Sequence, residues 1–272
     1  MNSNLAAKYV ELKQHLASLE NVAVAFSAGV DSTLLLAVAH EVLGGRAIAF
    51  TALSPAHPMR EADAARAFCE QLGVEQIEFE AGELELEGFE QNPPDRCYVC
   101  KVHLFKEMQR QAHERGINHV IEGSNTDDLN DYRPGRRALE ELGIESPLLT
   151  CGFSKQDIRD LSHELGLPTW DKPSFACLYS RFAYGDLITL EKLRRVEEAE
   201  QALLDFGFKT VRVRISGTQG ETARIELAPH DIRTIVEPPL CGEVVSALKA
   251  LGFAYVAVDL QGYRTGSMNE LL

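Results

Sequence analysis

The sequence predicts an α/β protein in which a doubly wound parallel sheet is followed by a smaller C-terminal α+β unit. Three observations carry this expectation. Apolar runs of strand length alternate with helix-length segments up to about residue 165. A loop of small residues, Ser27-Ala28-Gly29-Val30-Asp31-Ser32, joins the first such run to the first apolar helix. Beyond residue 185 the pattern changes to a long helix and then to Thr210-Val-Arg-Val-Arg-Ile-Ser216, which alternates strictly.

Taken in order, an amphipathic helix over 5–19 precedes a strand at 22–26, the small-residue loop, and a helix at 34–43. The alternation continues with a strand at 47–53, a helix at 61–72, a strand at 76–80, a helix at 98–115, a strand at 119–123 and a helix at 155–165. Strands that alternate with helices imply a parallel sheet covered on both faces, and ligands of such sheets bind at the carboxyl ends of the strands. A loop-like stretch with Pro173, Ser174 and Gly185 sets the boundary, giving domains at 1–172 and 186–272 with 173–185 as a cysteine-bearing loop between them. The second domain reads as a helix at 190–206, strands at 210–216 and 222–227, a helix at 243–251 and a strand at 254–260.

Composition narrows the function classes. With 45% hydrophobic and 25% charged residues in 272, the chain is of globular type, and no apolar run reaches the roughly 18 to 20 residues of a membrane span. The N-terminal residues lack a basic stretch followed by an apolar core, so the expectation is a cytoplasmic protein whose six cysteines are thiols or ligands. A net charge of −14 argues against a nucleic-acid partner, which asks for a basic face.

Four constellations carry candidate chemistry. The Ser27–Ser32 loop opens a helix, where backbone N–H groups and the helix dipole favour phosphate; Ser27 and Ser32 add hydroxyls and Asp31 can hold Mg²⁺. The plain alternative is a capped βα turn, and the Gly-Lys-Ser/Thr element of a Walker loop is missing. Cys97 and Cys100 stand at CxxC spacing in Asp95-Arg-Cys-Tyr-Val-Cys-Lys101 and suit redox thiols, zinc or cluster ligands. Cys177, in Ser174-Phe-Ala-Cys-Leu-Tyr-Ser-Arg-Phe182, would complete three thiolates for a [4Fe–4S] cluster with one open iron. Cys69 reads as buried packing. The segments Glu122-Gly-Ser-Asn-Thr-Asp-Asp128 and Asn130-Asp-Tyr-Arg-Pro-Gly-Arg136 suit nucleotide or substrate contacts, with Arg133 available to an anion; a capped loop is the alternative. Arg212 and Arg214 share one strand face and, with Arg181, form either a phosphate site or a solvated face.

The ordered set of the Ser27–Ser32 loop, Asn130-Asp-Tyr-Arg-Pro-Gly135, Cys177 with Ser180-Arg-Phe182, Thr210-Val-Arg-Val-Arg214, Ala223-Arg-Ile-Glu-Leu227 and Asp259-Leu-Gln-Gly-Tyr-Arg-Thr-Gly-Ser-Met-Asn269 resembles the LarE family of ATP-dependent sulfur transferases. The loop itself resembles the Ser-Gly-Gly-x-Asp-Ser pyrophosphate loop of the ATP pyrophosphatases, with Ala28 in place of the first Gly. The resemblance implies ATP and Mg²⁺ as cofactors. It implies a mononucleotide substrate, pyridinium-3,5-biscarboxylic acid mononucleotide, whose carboxylate is adenylated and then thiolated on the way to a nickel-pincer nucleotide. It places ATP on Ser27, Gly29, Asp31, Ser32, Gly123 and Asp127, and the substrate phosphate on Ser180, Arg212 and Arg214. Glu200 and Glu226 match a divalent-metal site, and the chain is expected to be a homo-oligomer. The presence of Cys97 and Cys100 beside Cys177 favours delivery of sulfur through a [4Fe–4S] cluster over sacrifice of the Cys177 sulfur, the physiological sulfur donor staying open. A tRNA thiolase, an amide-forming ligase of the NAD or GMP synthase kind and a zinc- or nucleotide-binding regulatory module are the competing classes.

Overall fold

In a computed structural model, which describes residues 2–130, 135–173, 176–217, 219–264 and 266–267, the chain divides into two compact units. The first comprises Met1–Glu85 and Asp95–Phe175, the second Leu86–Pro94 and Ala176–Leu272.

The first unit contains α1 (Ser3–Ser18), β1 (Val22–Ala25), α2 (Val30–Leu43), β2 (Ala47–Leu53), α3 (Met59–Leu72), β3 (Gln76–Glu80), α4 (Arg96–Glu114), β4 (His119–Ile121), α5 (Gly135–Leu142), α6 (Pro147–Thr150) and α7 (Lys155–Glu164). Its four strands are all parallel, in the order β3-β2-β1-β4. The central strands β1 and β2 are apolar in nearly every position because both their faces are covered, whereas edge strand β3 alternates polar and apolar residues. Val22, Val24, Ala47 and Ala49 join a core with α1, α2, α3 and α7, whereas Ala23, Ala25, Ile48 and Phe50 pack with α4 and α5. The strand order reverses between β1 and β4, so the crevice at their carboxyl ends is the expected ligand position. Both the Ser27–Ser32 loop and the Gly123 loop leave from that crevice.

The strand expected at 119–123 stops at Ile121. Glu122 is buried, and its carboxylate accepts from the Ser124 backbone N–H (3.0 Å) and hydroxyl (2.9 Å), so the chain turns at once instead of extending. The short helices α5 and α6 were not apparent in the sequence.

The second unit holds α8 (Leu190–Asp205), β5 (Val211–Ser216), β6 (Thr222–Leu227), α9 (Ile232–Val236), α10 (Leu240–Ala250) and β7 (Tyr255–Val258). Its sheet runs β5-β6-β7, with β5 antiparallel to β6 and β6 parallel to β7. Residues 86–94 join this unit through specific bonds: the Ile188 N–H donates to the Glu90 carbonyl (2.7 Å), and the buried Asn92 side-chain amide donates to the Phe182 (3.2 Å) and Ala183 (2.6 Å) carbonyls. Phe89 meets Tyr179 edge to face, with centroids 5.2 Å apart.

Candidate functional site

In the first unit, β1 delivers its chain into the small-residue loop and α2 begins at Val30. The N-cap, Gly29, has no side chain to satisfy the first N–H groups of α2, which leaves them to a ligand, and the dipole makes that ligand an anion. Ser32 is buried; its hydroxyl donates to the Gly29 carbonyl (3.2 Å) and accepts from the Ser27 N–H (3.3 Å), so both ends of the loop are held together. Ala28 adopts φ +52°, the left-handed conformation a glycine would occupy at lower energy.

Gly123 closes the crevice from β4. A Cβ at this position would lie 3.1 Å from Asp31 Cβ and from the Ser32 backbone nitrogen. The absent side chain is what allows the two loops to touch. Asn125 donates to Asp31 (3.3 Å), and the Lys155 ammonium pairs with Asp31 at 2.5 Å. Asp127 is exposed and accepts from the Lys155 backbone N–H (2.8 Å) rather than pointing to the loop. Lys172 donates to the Ala28 carbonyl (2.9 Å) and pairs with Glu61 (2.6 Å). Sequence reading passed over Lys155 and Lys172, which bring two cations to a loop suited to phosphates; Lys155 follows a Ser154 capping box, the one local signal that its backbone position is fixed.

In the second unit, β5 alternation puts Val211, Val213 and Ile215 toward the core and Arg212 and Arg214 on the other face. That face is not solvated: Arg212 is 4% and Arg214 6% exposed. Across the ladder Arg212 stands opposite Glu226, and Arg214 opposite Arg224. Arg214 grips the Glu226 carboxylate with Nε (3.1 Å) and Nη2 (2.8 Å), and donates from Nη1 to the Ser180 carbonyl (2.6 Å). Arg181, fully buried in the turn Leu178–Arg181, forks onto Glu200 at 2.6 and 3.1 Å. Glu200 belongs to the buried stripe of α8 with Leu193, Val196, Ala199 and Leu203, and it also accepts the Val213 N–H at 2.9 Å on edge strand β5. The Ser180 hydroxyl donates to the Cys177 carbonyl (2.8 Å) and accepts from Arg181 Nη1 (2.7 Å), tying the cysteine backbone to the guanidinium cluster. Burial, and then the neighbouring Arg181 charge, pushes the Arg212 pKa below its ordinary value. Among the described residues, Arg181 pairs with Glu200, Arg214 with Glu226, and Arg224 with Glu226 and Asp259, while Arg212 lies beside Arg181, Arg214 and Glu200. Desolvated guanidinium forks suit a phosphate monoester.

A family model described as asparagine synthase matches residues 11–98, the stretch that carries the phosphate loop. An uncharacterised protein of Synechocystis sp. is 43% identical over 268 residues, covering 98% of this chain and 99% of that protein. Pyridinium-3,5-bisthiocarboxylic acid mononucleotide synthase of Lactiplantibacillus plantarum is 37% identical over 271 residues, 99% of this chain and 96% of its own. The chain belongs to the LarE family of ATP-dependent sulfur transferases. The glutamine-hydrolysing GMP synthase of Aeropyrum pernix is 28% identical over 196 residues, 65% of this chain but only 38% of that protein.

Glu200 and Glu226, expected from the resemblance as a divalent-metal site, are each 1% exposed, with the carboxylate clasped by a guanidinium. Sequence could not separate the two roles, since an acid opposite an arginine and an acid beside a metal look alike until the register is known. Arg133 lies outside the described residues.

All six cysteines are thiols rather than disulfides. Cys97 and Cys100 lie three apart in the first turns of α4, on one helix face, and are half-buried, as is Cys177 at the start of the Leu178–Arg181 turn. As donors these thiols suit iron; among the described residues, no three His, Cys, Asp or Glu side chains come together as a metal-ligand group. Cys69 and Cys151 are buried in the core, and burial pushes both thiols up to about 11, so they are inert packing residues.

Proposed function

We propose that this LarE-family enzyme acts on pyridinium-3,5-biscarboxylic acid mononucleotide and converts its carboxylate to a thiocarboxylate in nickel-pincer nucleotide biosynthesis. The observation that carries the reading is the buried arginine cluster of Arg181, Arg212 and Arg214 in a chain of net charge −14, matched end to end with a synthase of that product class. Such a charge favours a small anion over a nucleic-acid backbone.

The first unit would hold ATP: Ser27, Gly29, Ser32 and the first N–H groups of α2 would cradle the phosphates, Gly123 lines the crevice, and Asp31, paired with Lys155, is the carboxylate that would hold Mg²⁺. Asp127 holds the Lys155 backbone, so its part in nucleotide binding is indirect. A carboxylate oxygen of the substrate attacks the α-phosphorus of ATP, the α–β bridging oxygen leaves with pyrophosphate, and an acyl adenylate results. Sulfur then attacks the acyl carbon and AMP departs with the carboxylate oxygen. This order converts a poor electrophile into one with a good leaving group. Ser180, Arg212 and Arg214 hold the substrate phosphate, and Arg181 keeps Ser180 and the Cys177 backbone in place. Cys97, Cys100 and Cys177 are the residues that would hold a [4Fe–4S] cluster, which when bound supplies sulfide at an iron that has no protein ligand. The assembly is a homo-oligomer in this reading.

Iron and acid-labile sulfide per chain, measured on protein purified and reconstituted without oxygen, test the sulfur route. About four irons, lost in Cys177→Ala, support the cluster. Absence of iron, together with loss of sulfur from Cys177 by mass spectrometry after turnover, replaces it with sacrificial delivery.

A further inference from the structure

Alanine is a poor occupant of position 28. At φ +52° a residue with a side chain is strained where a glycine is not, and the Ala28 methyl is buried in the core of the first unit.

A bond that supports this conformation comes from far along the chain. The Lys172 ammonium donates to the Ala28 carbonyl at 2.9 Å and pairs with Glu61 on α3 at 2.6 Å. Lys172 is itself fixed from α7: Arg159 donates from Nη1 to the Trp170 carbonyl (2.7 Å) and from Nη2 to the Lys172 carbonyl (2.8 Å). The Trp170 ring meets His163 of α7 edge to face, with centroids 4.6 Å apart, and the Lys172 N–H closes the turn onto the Thr169 carbonyl at 3.0 Å.

A peptide unit is planar and trans, so its carbonyl and the following N–H point in opposite directions. Turning the Ala28 carbonyl toward Lys172 therefore turns the Gly29 N–H away from it. Gly29 is the N-cap of α2, and the direction of this N–H sets how the loop meets an anion at the helix end.

We propose that Lys172 is a positioning residue for the phosphate loop: its bond to the Ala28 carbonyl holds the left-handed turn that Ala28 resists, and so keeps the Gly29 N–H in the direction that suits a phosphate. The proposal rests on the reading of this loop as the ATP site. Lys172 acts through the loop, so a residue at 28 that takes up the turn unaided makes the lysine dispensable.

Lys172→Met alone would leave the Glu61 carboxylate beside the loop without this ammonium, so the comparison is made in the Glu61→Gln background, where that charge is absent. Four full-length proteins are titrated calorimetrically with Mg²⁺-ATP, alongside wild type: Glu61→Gln, and the same chain with Ala28→Gly, with Lys172→Met, and with both. Urea unfolding of each reports folding; 24% of the Lys172 side chain is exposed, so its truncation leaves the core intact. Where Ala28 is native, Lys172→Met is expected to weaken ATP binding about tenfold, the scale of the preference against a left-handed alanine. In the Ala28→Gly chain the same substitution is expected to change binding by less than about twofold. Equal ATP binding with and without Lys172→Met where Ala28 is native overturns the proposal. A tenfold loss that persists in the Ala28→Gly chain also overturns it, because Lys172 then acts on the nucleotide itself. Failure of wild type to bind ATP is a separate result, which removes the ATP reading of the loop and this proposal with it.

Discussion

Replacing Glu200 with glutamine decides between a structural ion pair and a metal ligand at the heart of the second unit. Arg181 is 0% and Glu200 1% exposed, and the carboxylate accepts two bonds from the guanidinium, at 2.6 and 3.1 Å, and one from the Val213 N–H at 2.9 Å. Charge-assisted bonds are worth about 1.5–3 kcal/mol and neutral ones about 0.5–1.5. Glu200→Gln keeps the shape and one acceptor but removes the charge and the second acceptor, so the loss over three bonds comes to about 3 kcal/mol. That agrees with the range of about 3–5 kcal/mol for unpairing one member of a buried pair. For a unit of this size the melting temperature falls by roughly 10–20 °C. Urea unfolding followed by circular dichroism measures the change, and a double-mutant cycle with Arg181→Met is expected to return a coupling of about 2–3 kcal/mol. A stability loss below about 1 kcal/mol, with reduced binding of a divalent cation, would refute the ion-pair reasoning and restore Glu200 as a ligand.

Other outcomes follow from the first unit. Gly123→Ala sets a methyl 3.1 Å from Asp31 Cβ and the Ser32 backbone, so ATP binding is expected to weaken at least about tenfold while stability falls by about 1–3 kcal/mol, read by calorimetric titration and urea unfolding. Ala28→Gly retains ATP binding because it eases the φ of +52°, whereas Ala28→Val costs about 1–3 kcal/mol, since a β-branched residue is poorly suited to that region. Cys69 and Cys151, with thiols at about 11, escape alkylation in the native protein at pH 8 and react once it is unfolded, as peptide mass spectrometry would record. Their raised folded pKa makes a contribution to stability that is present below about pH 9 and is lost as pH rises toward 11, because the unfolded chain releases those protons first.

The parallel sheet was legible because its strands are short apolar runs separated by helical segments, a pattern set by burial on both faces. The phosphate loop was legible too, down to the position where an alanine replaces a glycine; the positive φ at Ala28 shows what that replacement entails. Alternation in β5 placed Arg212 and Arg214 on one face, but not whether water reaches it. That depends on the Leu178–Arg181 turn and on Tyr263, which come from elsewhere in the chain and leave no local signature. The same distance in sequence hid the pairing of Arg181 with Glu200, Lys155 with Asp31 and Lys172 with the Ala28 carbonyl. Residues 86–94 fell within the 1–172 domain expected from the sequence. Their place in the second unit rests on Asn92 amide bonds to backbone carbonyls, and composition cannot announce such bonds.

The central claim is ATP-dependent thiolation of a carboxylate on an anionic mononucleotide, and a single reaction tests it. The enzyme, with a sulfide source and Mg²⁺-ATP, is mixed with pyridinium-3,5-biscarboxylic acid mononucleotide, and nucleotide products and substrate mass are read together. AMP and pyrophosphate are expected to form only when the mononucleotide is present, with a product heavier by the exchange of one oxygen for one sulfur. Release of ADP, or AMP formed without any change in the mononucleotide, would contradict it.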